Sequence, residues 1–141
     1  MAFPADLIGK WQAADANFGT LSILVDSNGV VTGTWKGLVI PTQGGSTKAP
    51  DLPLTFGRAM YSPGDDHPPG GAAYITVTTT GGVASGTATL KFYITMSGFR
   101  EVGNTTETLT GGVLMVRDVP GHAHDVSPKI VAWKRTSTNP L

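Results

Sequence analysis

The sequence predicts an all-β fold, a single domain folded as an eight-stranded antiparallel up-and-down β-barrel, on three observations. The first is composition. The chain of 141 residues holds 19 Gly, 19 Thr and 12 Val beside only two Glu, Glu101 and Glu107, which suits strands and tight turns and leaves little for surface helices. The second is period-two alternation in segments bounded by Gly, Pro, Asn and Asp. The third is the shortness of most connections. Short connections pair consecutive strands antiparallel, and such a meander hides its edges by closing on itself. Eight strands also leave an interior wide enough for one small ligand.

The elements follow in order. Residues 7–12 form the first strand, and Thr20–Asp26 the second, where small, polar and apolar side chains alternate. Asp26-Ser27-Asn28-Gly29 is a hairpin turn, because Asn-Gly supplies the positive φ of the primed turns. Val30–Ile40 continues as the third strand, with Gly33 and Gly37 marking bends or close backbone approach. A Gly-, Pro- and Ser-rich loop spans 41–51, and Leu52–Met60 is the fourth strand, Pro53 near its start fitting an edge or first position. Residues 62–71, with Asp65, Asp66, His67 and two prolines in a row, form the longest loop. Ala72–Thr79 is the fifth strand, Thr80-Gly81-Gly82 a turn, and Val83–Met96 the sixth strand. A turn at 98–104, a strand at 105–117, a loop at 118–127 and a last strand at 129–136 complete the chain.

Ten basic residues balance ten acidic ones and the pI is near 6.8, so no charge favours nucleic acid or an anionic membrane as partner. With no cysteine, disulfides, thiolate nucleophiles and Cys-based metal sites are excluded. Met1-Ala2-Phe3-Pro4 carries neither a basic nor an apolar leader segment, so no signal peptide is expected in the chain as given. The compartment stays open: cytoplasmic, or secreted with a signal removed. No apolar run reaches the length of a membrane helix.

Gly9-Lys10-Trp11 near the start and Arg135 in the last strand resemble the calycin superfamily, in which a last-strand basic residue packs over a first-strand Trp to plug one barrel end. Within that group the chain is most similar to the avidin family. The residues that carry this are Gly9-Lys10-Trp11, Gly19-Thr20-Leu21-Ser22-Ile23, Thr32-Gly33-Thr34-Trp35 and Leu52-Pro53-Leu54-Thr55-Phe56-Gly57-Arg58, with Ala84-Ser85-Gly86 where the family opens its sixth strand. The resemblance implies an avidin-like barrel and a homodimer or homotetramer, but it carries over little of a biotin site. Ala13 stands at the ureido-binding small polar position, with Asn17 in the following loop as a substitute; Thr20 keeps the second-strand hydroxyl, and Trp35 replaces a tyrosine. Thr78, Ala84 and Gly112 stand where the family has wall tryptophans, and Val131 where it has a polar anchor. Tight burial of biotin needs those walls and a fully paired ureido group, so high-affinity biotin binding is not expected.

Other chemistry is thinly supported. His122-Ala123-His124 puts two imidazoles on one face of a strand, and with Asp125 or the His67 loop a metal site can be drawn. The flanking Pro120, Gly121 and Pro128 favour a solvated loop, so neither metal nor cofactor is expected. A hydroxyl–His–Asp triad can be drawn with Asp118, yet no Gly-x-Ser-x-Gly elbow occurs. Asn104-Thr105-Thr106 is a glycosylation sequon if the chain enters a eukaryotic secretory pathway.

The expected function is non-enzymatic binding of a small, partly apolar ligand. Asn17 and Thr20, with Trp35, Tyr74, Thr78, Leu114 and Trp133, are expected to line the cavity, Trp133 because it alternates with Arg135 and Tyr74 by match to the family's other fifth-strand Trp. Against this stands the possibility that these residues only fill the barrel. Two rivals remain: a small barrel cyclase or isomerase using the cavity as a mould, and a barrel whose loops at 61–71 and 118–127 bind a protein or glycan.

Overall fold

The computed structural model describes residues 5–61, 72–101, 108–118 and 124–141. Over these residues the chain is all-β apart from two 3₁₀ turns, Ala5–Leu7 and Ala16–Phe18. The strands are β1 Gly9–Ala13, β2 Thr20–Val25, β3 Val31–Lys36, β4 Val39–Thr42, β5 Gly45–Lys48, β6 Leu52–Pro53, β7 Phe56–Tyr61, β8 Ala72–Ser85, β9 Ala88–Glu101, β10 Thr108–Asp118 and β11 Asp125–Ser137. Nine of them form one antiparallel sheet in the order β6-β3-β2-β1-β11-β10-β9-β8-β7, and β4 and β5 form a separate hairpin. β6 and β7 lie at opposite ends of that order but are only two residues apart in the chain, so the sheet must curl strongly on itself. At the two ends, Val30 bridges Arg58, and the Ala59 N–H donates to the Gly29 carbonyl at 2.8 Å.

The β2–β3 turn forms as its residues require: the Asp26 carboxylate accepts the N–H groups of Asn28 and Val30 at 2.8 and 2.9 Å. Elsewhere the boundaries move. Gly37, at φ 74°, ends β3 early, and the expected loop 41–51 carries the β4–β5 hairpin. The turn expected at Thr80-Gly81-Gly82 is the interior of β8, and the chain reverses instead near Gly86, at φ 61°. Gly81 is small for packing reasons: a Cβ there would lie 2.8 Å from the Phe92 ring and 3.1 Å from Leu52. β9 runs straight through the turn expected to begin at Gly98, and β11 starts at Asp125, inside the expected last loop.

Alternation sets the core. Trp11, Leu21, Ile23 and Trp35 from the short strands meet Ile75, Val77, Phe92, Ile94, Met96, Leu109 and Trp133 from the long ones, each at most 2% exposed. Full burial of such side chains contributes roughly 1.5–3 kcal/mol apiece. One end of the curl is plugged by polar groups. Arg135 lies over the Trp11 ring, 4.6 Å from its centroid, as the sequence leads one to expect, and donates to the carbonyls of Ile8 and Asp6. The Asp6 carboxylate accepts from buried Arg100 at 2.7 Å and from the Tyr61 hydroxyl at 3.3 Å, and the Trp11 indole N–H donates to Leu7 O at 2.9 Å.

Candidate functional site

The opposite end of the curl, where the β4–β5 hairpin lies, holds the candidate site. Leu38 and Ile40 are fully buried, and Ala49 nearly so, its N–H donating to Leu38 O at 2.7 Å. Three polar contacts hold the hairpin down: Gln43 N–H to Ser85 Oγ at 3.0 Å, Thr47 Oγ1 to Ala84 O at 3.4 Å, and Arg117 Nη1 to Pro41 O at 2.8 Å. The run Leu38-Val39-Ile40 was the only sequence signal for this cover, and it also suits a continuing strand.

Beneath it Trp35 and Trp133 meet edge to face, centroids 5.7 Å apart and planes at 71°. Both rings are fully buried. The Trp35 indole N–H is engaged, donating to Phe18 O at 2.7 Å. The Trp133 indole N–H is buried with no acceptor among the described residues. Such a group costs roughly 1–3 kcal/mol unless something accepts from it.

The seven residues expected to line a cavity are not brought together. Trp35 and Trp133 meet in the interior, and half-buried Thr20 opens β2 opposite Lys36, one residue beyond Trp35 in β3. Asn17 is exposed in the second 3₁₀ turn. Tyr74, Thr78 and Leu114 lie on the outer face of the sheet, Tyr74 being 44% and Leu114 39% exposed. The correction has a physical cause: Ala73, Ile75, Val77 and Thr79 point inward, so the intervening Tyr74, Thr76 and Thr78 must point outward. The same one-residue offset puts Ala84 and Gly112 outside, next to inward Val83, Gly111 and Val113. Val131 is buried inside, as expected.

Near this end Lys129 pairs with Asp15 at 2.5 Å and sits 5.6 Å from the Phe18 ring. The Lys129 hydrogen bond, helped by the Asn17 backbone N–H, holds the Asp15 carboxyl below its ordinary pKa. His67, His122, Asp65 and Asp66 lie outside the described residues. His124 is exposed with Nδ1 4.0 Å from Asp118, and Asp125 pairs with Arg117. Among the described residues no group of three or more potential ligands could hold a metal ion. No protein-family model, curated protein or solved structure matches the chain.

Proposed function

We propose that the curled sheet is an eight-stranded closed barrel of avidin-like type, and that its β4–β5 end binds a small, partly apolar ligand other than biotin, without catalysis. Counting β6 and β7 as one interrupted strand, and the β4–β5 hairpin as a cover, leaves eight strands. The Val30–Arg58 bridge supports closure, as does the close approach of β7 to β3, where a Cβ on Gly57 would lie 2.6 Å from Val31 O.

The observation that carries the binding reading is the unpartnered indole N–H of Trp133, buried against Trp35. A ligand carbonyl would supply the missing acceptor, and the indole faces and aliphatic side chains around it would take the ligand's apolar part. These groups bind and orient; indoles and alkyl chains do not transfer protons at neutral pH. Trp133→Phe separates the two costs. In the empty variant, relief of the stranded donor, roughly 1–3 kcal/mol, is offset by the cavity left where the larger ring packed, so stability should move by no more than about 2 kcal/mol while binding is lost. Native mass spectrometry of the purified chain, and tryptophan fluorescence against a panel of cyclic ketones, lactams and ureas, should show a ligand on the parent chain only. A bare chain with no fluorescence response sinks the reading. Calorimetry with biotin should give a dissociation constant weaker than micromolar; a sub-micromolar value overturns the exclusion of biotin.

A second reading is favoured by the completeness of packing. Leu38, Ile40, Trp35, Phe92 and Trp133 are all fully buried, which suits a filled barrel that binds a protein or glycan through its loops. In that case Trp133→Phe changes stability and leaves partner binding untouched.

A further inference from the structure

Inside the curl, the wall beside Trp133 is bare. Gly98 and Gly111 pair directly across β9 and β10. Alternation with the buried Ile94, Met96, Leu109 and Val113 turns both glycines inward. Gly111 also pairs with Val131, which makes it the diagonal neighbour of Trp133 across β10 and β11, within reach of an aromatic side chain. The Met96 side chain lies over this floor. A Cβ on Gly111 would come 2.7 Å from Met96 Sδ, and one on Gly98 would come 3.1 Å from it. An unbranched thioether with three rotatable bonds is among the side chains most easily moved from such a place. The room left by two missing Cβ atoms is thus held by a displaceable filler.

The polar groups that reach this floor are of one kind. Ile75, Met96, Leu109, Val113 and Val131 surround the glycine pair, all buried, and none carries oxygen or nitrogen. β9 and β10 are flanked by strands on both sides in unbroken register, so their carbonyls are engaged in ladder bonds lying in the sheet. Arg100, next inward along β9, is a donor, and with Tyr61 it already occupies the Asp6 carboxylate. Thr79 Oγ1 donates to Pro53 O at 2.7 Å, and Thr79 stands four residues along β8 from Ile75, roughly 13 Å away by strand rise. Ser22 is also buried, but it alternates with inward Leu21 and Ile23 and so lies on the other face of the sheet. Among the described residues, the unpartnered group beside the floor is a donor, the Trp133 indole N–H.

We infer that the interior ligand is a hydrogen-bond acceptor with no donor of its own: a compact ketone, ester or lactone. Its oxygen takes the Trp133 indole N–H, and its ring replaces the Met96 thioether over Gly98 and Gly111. The inference rests on the ligand reading proposed above and narrows its chemistry. A ligand N–H or O–H would be stranded among apolar side chains, a loss of about tenfold or more in affinity. Lactams and ureas with a free N–H satisfy the same indole and suffer that loss. A donor-free carbonyl does not.

Fluorescence titration and two-dimensional NMR of the indole N–H groups of the full chain test this with small rings of matched size. Cyclopentanone should bind the parent and shift the Trp133 indole signal, which its absence from Trp133→Phe identifies. Met96→Ala, which vacates the floor, should bind cyclopentanone about tenfold tighter, since no side chain has to be displaced. Gly111→Ala, whose methyl group enters the same room, should lose it. The decisive pair is pyrrolidinone and N-methylpyrrolidinone, which share a carbonyl and differ in a donor. On Met96→Ala the methylated ring should bind more than about tenfold tighter, whereas burial of one methyl group by itself supplies only about fourfold. A ratio no greater than that overturns the donor-free class and leaves the ligand reading standing. Equal cyclopentanone affinity in the parent, Met96→Ala and Gly111→Ala overturns the placement over the glycines. If no ring binds any of these chains, the ligand reading itself has failed and this inference falls with it. Thermal melts establish that each variant is folded; if Met96→Ala is not, the two lactams are compared on Met96→Val.

Discussion

At the scale of single residues, Asp6 ties distant strands together. Its carboxylate takes the Arg100 guanidinium and the Tyr61 hydroxyl, and its carbonyl takes Arg135, which itself covers Trp11. Trp11 and Arg135 are readable from the sequence because each sits at a recognisable strand position. Asp6 and Arg100 are not, being 94 residues apart and joined only by the curl. This cluster carries a pH prediction. Burial first, then the negative charge of Asp6, hold the Tyr61 hydroxyl above its ordinary pKa, with Arg100 opposing. In the unfolded chain Tyr61 ionises near about 10. Between that value and the folded one the folded protein keeps a proton the unfolded chain has lost, so stability falls as pH rises. The Tyr61 contribution is therefore complete below about pH 10 and is lost as pH climbs through the folded pKa. Urea titrations across the alkaline range should show a steeper loss for the parent than for Tyr61→Phe. Equal slopes in the two proteins would assign the loss to other groups.

At the scale of elements, what was legible depended on whether a residue's local signal had one meaning. Asp26-Ser27-Asn28-Gly29 means a turn whatever surrounds it, and it forms. Gly81-Gly82 has two meanings, turn or close packing, and the contact with Phe92 and Leu52 selects the second. The face of β8 was also legible: Ile75-Thr76-Val77-Thr78 places the apolar side chains at odd positions. The register taken from the family resemblance, which turned Tyr74 inward, ran against that alternation, and burial of Ile75 and Val77 decided it. The β4–β5 hairpin was hidden inside a segment rich in Gly, Pro and Ser, because its polar residues contact the ends of β8 and β10 rather than one another's core. Its anchor is apolar. Ile40→Ala should cost about 2–4 kcal/mol, as for other fully buried aliphatic truncations, read from denaturant midpoints. A cost below about 1 kcal/mol would mean that Ile40 is not docked against the interior.

At the scale of the whole molecule, strand order follows from chain order with two exceptions, β3 pairing with β6 past the β4–β5 hairpin and β11 pairing with β1, and the second defines the architecture. Antiparallel neighbours in sequence are neighbours in the sheet along β7-β8-β9-β10-β11 and along β1-β2-β3, with β11 pairing back to β1. Composition and alternation make each strand. The join between β1 and β11 is the one a meander closing on itself, with Arg135 over Trp11, leads one to expect; the approach of β7 to β3 is visible only once strands of unequal length are laid side by side. β8 and β9 have 14 residues each and β6 has two, so the curl is deep on one side and thin on the other. The thin side is where closure is decided, and it rests on few backbone bonds: Leu54 N–H to Gly33 O at 2.9 Å, Thr55 N–H to Thr78 O at 2.8 Å and Ala59 N–H to Gly29 O at 2.8 Å. An open sheet would leave the Ala59 amide at a free edge, exchanging with solvent nearly as fast as an unfolded chain. In a closed barrel it opens only with the sheet itself. Native-state hydrogen exchange should therefore find Ala59 protected to within about tenfold of the Leu109 amide in the long strands, and the two should converge as denaturant approaches the unfolding transition. Exchange at Ala59 that is fast and insensitive to denaturant would show the seam open, and the eight-stranded closure would fall with it.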